Sequence, residues 1–219
     1  MNNCEFLIDC NDIKFEHPSN WLIGAPSQSG KSYLVYQIIK KNKHVFKPKV
    51  DKFIYCNSER TPLYENMLVE IENITFVKGL PDLENLENSV IILDDLMSQV
   101  VDDKNILNLF TVGSHHRKNS VIFLTQNIYE KGKYARTISL NTHYFILFKN
   151  RRDQEQIMHL GRQIYPGETK FFKEVFDLAT SEKYGYLIVD LKQRSNNMLR
   201  LRTIDFAKDK FYVFLKKNK

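Results

Sequence analysis

The stretch Gly24-Ala25-Pro26-Ser27-Gln28-Ser29-Gly30-Lys31-Ser32 sets a lysine and a hydroxyl directly after a glycine. An apolar run, Trp21-Leu22-Ile23, precedes it, and an amphipathic run begins at Tyr33. These are the parts of a phosphate cradle. Gly30 permits the backbone angles of a sharp strand-to-helix turn, so that successive N–H groups can face phosphate oxygens at a helix N-terminus. Lys31 adds a full positive charge to the partial charge of the helix end, and Ser32 offers a hydroxyl for Mg2+. The P-loop pattern asks for Gly, four residues, then Gly-Lys-Ser/Thr. Here Ala25 holds the first-glycine position and Gly24 stands one residue early. Alanine is small and the spacing to Gly30-Lys31-Ser32 is intact, so the segment from Gly24 to Tyr33 is expected to bind nucleotide phosphates.

Two further stretches can complete such a site. In "SVIILDDL", Ser89 to Leu96, an apolar strand ends in two acids. Adjacent charges at a buried strand end are costly unless a cation is present. Asp94 is therefore expected to hold Mg2+ opposite Ser32, and Asp95 to polarise the attacking water. Many ATPases carry Glu in the second place, and Asp95 is one methylene shorter. In "NSVIFLTQN", Asn119 to Asn127, a second apolar strand ends in polar residues. Its Gln126 lies one strand–helix–strand crossover beyond Asp94, where an amide can bind both a γ-phosphate oxygen and the water.

Elements must carry these residues to one place. Six apolar runs read as strands: 20–23, 53–56, 74–77, 90–93, 121–124 and 144–148. They are continuous rather than alternating, as strands covered on both faces must be. Between them lie helical patterns at 31–40, 63–71 and 104–114, with later ones at 153–160, where Asp153 is the expected N-cap, and at 167–179. Alternating strands and helices predict an α/β chain with a mostly parallel central sheet. The whole of 1–219 reads as one domain. Residues 1–18 are expected to add an N-terminal hairpin, 19–180 to form the core, and 181–219 to add a C-terminal hairpin (Tyr186 to Val189 with Leu199 to Thr203) and a basic tail.

Composition narrows the classes. The net charge is +6, and the segment from Lys192 to Lys219 holds nine Lys/Arg against Asp205 and Asp209. All the excess positive charge is thus C-terminal, as a polyanion contact would use it and as a solvated, lysine-protected edge would also show it. Three cysteines (Cys4, Cys10, Cys56) without metal-ligand spacing read as reduced thiols in an intracellular compartment. No apolar run approaches a membrane span of about 18 residues, no signal peptide is legible at the N-terminus, and no structural zinc is expected.

With these stretches in place, the chain resembles the genome-packaging ATPases of poxviruses and other large DNA viruses, virophages and Maverick/Polinton elements, in the FtsK–HerA branch of P-loop ATPases. The resemblance rests on "GAPSQSGKS", "IILDDL", "SHHRKNSVIFLTQNIY" and "ARTISLNTHYFILFKNRRDQEQIMHLGRQIYP", and spans about Trp21 to Pro166. It implies a RecA-like core with strand order 5-1-4-3-2, in which the Gln126 strand lies between those of the P-loop and Asp94. It also implies a homo-oligomeric ring that hydrolyses ATP with Mg2+ to drive double-stranded DNA into a capsid, with capsid vertex proteins as partners, at an intracellular assembly site or on the virion. An arginine from one subunit would complete its neighbour's site. That role falls to Arg152, with Arg136 and Arg162 as rivals, and Arg151 stands where the family often has Pro. Lys131-Gly132-Lys133 and His116-Arg117-Lys118 are the candidate DNA-gripping loops. The alternative function is an ATP-dependent DNA-binding switch or scaffold without translocation. A nucleotide kinase would need an arginine-lined acceptor site and lid, and a second RecA-like core for a helicase does not fit this length.

Overall fold

The computed structural model describes residues 5–9, 13–50, 52–83, 86–113 and 117–216. Cys4, Cys10, the Ser114-His115-His116 stretch and the terminal Lys217 and Lys219 lie outside them. Three parallel strands form the centre: β3 (Asn20–Gly24), β7 (Ser89–Asp94) and β8 (Ser120–Thr125). Every one of their residues is buried, because apolar side chains point alternately to the two faces of the sheet and both faces are covered. Trp21 and Ile23 pack into one core with Leu34, Val35 and Ile38 of α1 (Lys31–Lys40). Leu22 packs into the other, which holds Ile157 and Leu160 of a later helix. The result is a three-layer α/β/α arrangement.

The remaining strands are β1 (Glu5–Asp9), β2 (Phe15–Glu16), β4 (Phe46–Lys47), β5 (Lys52–Asn57), β6 (Ile74–Lys78), β9 (Tyr144–Phe148), β10 (Tyr186–Asp190), β11 (Leu201–Asp205) and β12 (Lys210–Phe214). Ten strands make one sheet, in the order β1-β12-β11-β10-β9-β3-β8-β7-β5-β6. The expected order 5-1-4-3-2 is therefore not that of the sheet. Its parallel part continues past β5 to β6, and four antiparallel strands extend it beyond β9. The Gln126-bearing strand does lie between the other two, since β8 pairs with β3 on one side and β7 on the other.

Three features differ from expectation. The first residues form no hairpin. Instead β1 closes the far edge against β12, and β2 pairs with β4 in a separate two-stranded sheet. The helix expected over 104–114 runs only over Lys104–Asn108, capped by Asp103, and widens into a π turn at Leu109–Gly113. There the Asn20 side-chain amide donates to the Phe110 carbonyl at 2.7 Å. The C-terminal segment is not a free tail: β12 sits between β11 and β1.

Several of its charges are paired. Arg202 is 1% exposed and makes two 3.1 Å contacts to Asp190 Oδ2. Its guanidinium lies 5.2 Å from the Phe15 ring and 5.9 Å from those of Tyr144 and Phe211. Lys192 pairs with Glu16, Lys208 with Asp205 and Lys216 with Glu168. Two of these pairs, Lys192 with Glu16 and Lys216 with Glu168, join the C-terminal addition to the rest, and deletion from Lys208 onward would remove an internal strand. Arg202→Ala leaves the Asp190 carboxylate buried and unpaired, and should destabilise the fold by roughly 3–5 kcal/mol. Urea unfolding measures this, and a loss below about 1 kcal/mol would mean the pair contributes no more than a surface one.

Candidate functional site

The cradle is built where β3 ends. The Ala25 N–H donates to Thr125 O at 3.0 Å, so the loop leaves the sheet tethered to β8. It turns through left-handed residues at Gln28 (φ 61°) and Gly30 (φ 94°), and α1 begins as Leu34 N–H donates to Gly30 O at 2.9 Å. The displaced Gly24 has its own cause. A Cβ there would stand 2.2 Å from Ile128 Cγ2, so glycine at position 24 serves the packing of the segment after β8. Ala25, 2% exposed, takes the loop's first position without a glycine's freedom. Pro26, Ser27 and Gln28 form the outer part of the turn. Lys31 is 8% exposed, and its Nζ reaches Pro26 O at 3.4 Å, folded back over the loop. Ser29 Oγ is buried without a hydrogen-bond partner.

The loop and the end of β7 meet directly. Ser32 Oγ donates to Asp94 Oδ2 at 2.8 Å, and Tyr55 Oη donates to the same oxygen at 2.7 Å. Asp94 is 4% exposed. Burial pushes its carboxyl above the usual carboxylate range, the two hydroxyl donors oppose that, and the charges of Asp95 and Lys31 act more weakly in opposite senses. Burial, then the Asp94 charge, pushes the Tyr55 hydroxyl well up. Tyr64 stacks on Phe76 and packs against Tyr55 at 5.1 Å, and its hydroxyl is raised for the same two reasons. Tyr55 is absent from the sequence-based site. Its signal was available: a tyrosine inside a buried strand must find a partner for its hydroxyl.

Hydroxyl and carboxylate oxygens are the donors that Mg2+ takes. Among the described residues no group of three or more His, Cys, Asp or Glu converges on a metal site. Ser32 and Asp94 would thus supply the protein's share of a Mg2+ shell completed by phosphate and water, as that ion is usually held.

The remaining predicted residues are less tightly placed. Asp95 is exposed at φ 53°, a region that Asp tolerates better than most side chains. Gln126 is exposed at the end of β8, its N–H 3.4 Å from Met97 Sδ. Being next to Thr125, which holds Ala25, it stands at the loop's entrance. Arg152 is exposed in the turn after β9, where its N–H donates to Asn150 Oδ1 at 3.0 Å. Its guanidinium has no partner among the described residues, and no contact brings it to the P-loop of the same chain. Asp153 is not the N-cap, since that position belongs to Gln154 before the helix Glu155–Ile164. Its carboxylate accepts instead from the Gln156 backbone (3.4 Å) and side-chain amide. Arg136 and Arg162 are exposed, on the helices Ala135–Leu140 and Glu155–Ile164. Gly132 packs on Val101, and Lys133 N–H donates to Asp102 Oδ1 at 2.8 Å, so Lys131 and Lys133 project from an anchored turn. Among the described residues no helix is long and apolar enough to cross a membrane.

No family profile and no curated protein sequence matches the chain. Solved structures do. The genome packaging NTPase B204 from Sulfolobus turreted icosahedral virus 2, in complex with sulfate, superposes with a TM-score of 0.56 at 14% identity, covering 83% of this chain and 95% of that one. The same protein in complex with ATP-gammaS gives 0.52 at 16%, covering 81% and 94%. The likeness is one of fold: this α/β chain shares the architecture of that packaging NTPase.

The raised carboxyl of Asp94 has a consequence for the ligand-free protein. A carboxyl whose folded pKa exceeds its unfolded one destabilises the fold above that range and ceases to do so as pH falls through it. Asp94→Asn should therefore raise the melting temperature at pH 7, with the gain shrinking toward pH 4. A variant less stable than wild type at pH 7 would contradict a desolvated carboxylate at this position.

Proposed function

We propose that this chain is an ATP-hydrolysing motor that drives double-stranded DNA into a viral capsid. The observation that carries the reading is the 2.8 Å hydrogen bond from Ser32 to Asp94, which joins a phosphate loop to a buried acid at the end of a neighbouring strand. The likeness to a solved genome packaging NTPase, and to its complex with ATP-gammaS, supports the same reading. In it the backbone from Gly24 to Tyr33 cradles the phosphates, and Lys31 swings from Pro26 O to the β- and γ-phosphates. Ser32 and Asp94 hold Mg2+, which when bound neutralises charge on the phosphates. Asp95, exposed beside the buried Asp94, orients and accepts a proton from the attacking water. Gln126, at the end of the intervening strand, senses the γ-phosphate.

The motor is a homo-oligomeric ring of the FtsK–HerA kind, assembling at an intracellular site and docking on capsid vertex proteins. Arg152 serves the neighbouring subunit. Its guanidinium is exposed and without a partner among the described residues, and a planar cation suits phosphate oxygens. DNA is gripped by the exposed lysines of the 131–133 turn.

ATP hydrolysis should be measured with and without duplex DNA. Wild type is expected to turn over faster with DNA, and Lys31→Ala to lose turnover in both conditions while its melting temperature changes little. A Lys31→Ala protein that keeps most of its activity would place the nucleotide elsewhere, and a rate indifferent to DNA would leave a nucleotide switch.

A separate test addresses the arginine. Arg152→Ala and Lys31→Ala should each be inactive alone, since a finger in trans contributes roughly 10³–10⁵ in rate. Mixed in one ring, they should recover part of the activity through interfaces that pair an intact loop with an intact arginine. If co-assembled mixtures stay inactive, Arg152 is not the finger.

A further inference from the structure

The phosphate loop opens onto a cleft of about 1460 Å3, larger than the roughly 300–1,000 Å3 of common small-molecule sites. At one end Gly30, Lys31 and Ser32 line it. The other end is built by the C-terminal addition: residues 181–185, which lead into β10, and the turn between β11 and β12 with Phe206. Phosphate binding has no use for that second half, yet it is continuous with the loop.

Aromatic rings line much of it. Tyr33, in the first turn of α1, is 57% exposed and Tyr184 is 56% exposed. Rings half in water at the wall of a concave site offer flat apolar area to a ligand. Tyr184 is moreover held in place. It sits at φ 64°, in the left-handed region that bulky residues avoid. Gly185, which follows it, packs so closely on the helix Thr169–Ala179 that a Cβ would stand 2.6 Å from Ala179 O. The Lys183 ammonium lies 4.9 Å from the Tyr184 ring centroid. The ring thereby reaches the loop itself: a Cβ on Gly30 would be 3.4 Å from Tyr184 Cδ1.

We propose that this half of the cleft is a base-stacking subsite for a purine nucleoside triphosphate, with Tyr184 as the stacking ring and Tyr33 as a second aromatic contact. The proposal rests on the nucleotide reading of the P-loop and adds to it the part of the ligand that the loop does not touch. Stacking uses the π-face that every base has. The subsite therefore rewards ring area, holding ATP and GTP alike and both better than CTP.

Calorimetric titration of the full chain with ATP, GTP, CTP and inorganic tripolyphosphate, each with Mg2+, separates the two readings. Wild type should bind ATP and GTP within a few-fold of each other and roughly 5- to 150-fold more tightly than tripolyphosphate, the range of one stacking contact. Tyr184→Asn removes the ring and keeps a residue that tolerates the left-handed backbone. It should erase most of that difference and leave tripolyphosphate binding unchanged. Tyr33→Ala, on an exposed helix face where Ala is favourable, should reduce the difference in part. Equal affinity of wild type for ATP and tripolyphosphate would overturn the subsite and leave the P-loop reading standing, as would a full difference retained in a folded Tyr184→Asn. Binding of neither ligand would overturn both.

Discussion

A carboxylate taken almost wholly out of water sets the terms for the rest of this molecule. Asp94 can be buried at the end of β7 because two hydroxyls donate to one of its oxygens. Those hydroxyls come from elements that only a particular sheet brings together. Tyr55 arrives on β5, the strand paired with β7. Ser32 arrives from beyond β3, two strands away, across the end of β8. Parallel pairing puts all these strand ends on one side of the sheet, where ligands of open α/β sheets bind. Moving any one strand would leave a buried acid without its donors, which is costly. The left-handed turn at Gln28 and Gly30 and the tether from Ala25 to Thr125 hold Ser32 at that meeting point.

A second buried charge organises the other half of the sheet. Asp190 at the end of β10 and Arg202 in β11 are both nearly inaccessible, and the aromatic rings of Phe15, Tyr144 and Phe211 surround the guanidinium. This pair ties β10 to β11 within the antiparallel addition, which pairs with β9 through β10. Since β9 lies beside β3, the addition ends up facing the loop that follows β3. The segments 181–185 and 205–208 owe their place on the cleft to that registration.

What the sequence showed followed from how local its signals are. The core strands were legible because burial on both faces demands unbroken apolar runs, as in Val90 to Leu93 and Val121 to Leu124. Helix α1 was legible from its 3.6-residue period after Gly30. Tertiary causes were not. Gly24 looked like a misplaced loop glycine, whereas Ile128, about a hundred residues on, dictates it. Arg202 counted as surface charge because its partner and its aromatic surroundings come from four other elements. Strand β1 read as half of a hairpin, yet its partner is β12, at the other end of the chain. Tyr55 passed as one more apolar strand residue, although its hydroxyl is one of the two donors on which the site depends. Asp95, Gln126 and Arg152 stand where the motif reading put them in the chain, but exposed, without the contacts that bind Ser32 to Asp94.

The account stands on Ser32 and Asp94 as the two protein ligands of a metal carried in with the nucleotide. The most direct measurement is a crystal structure of the protein with Mn2+, as a substitute for Mg2+, and a non-hydrolysable ATP analogue, with the metal located by its anomalous signal. The account predicts one strong peak between Ser32 Oγ and the Asp94 carboxylate, with the phosphates on the backbone from Ala25 to Ser32. A metal–nucleotide complex bound elsewhere, with the Ser32–Asp94 hydrogen bond intact, would contradict it.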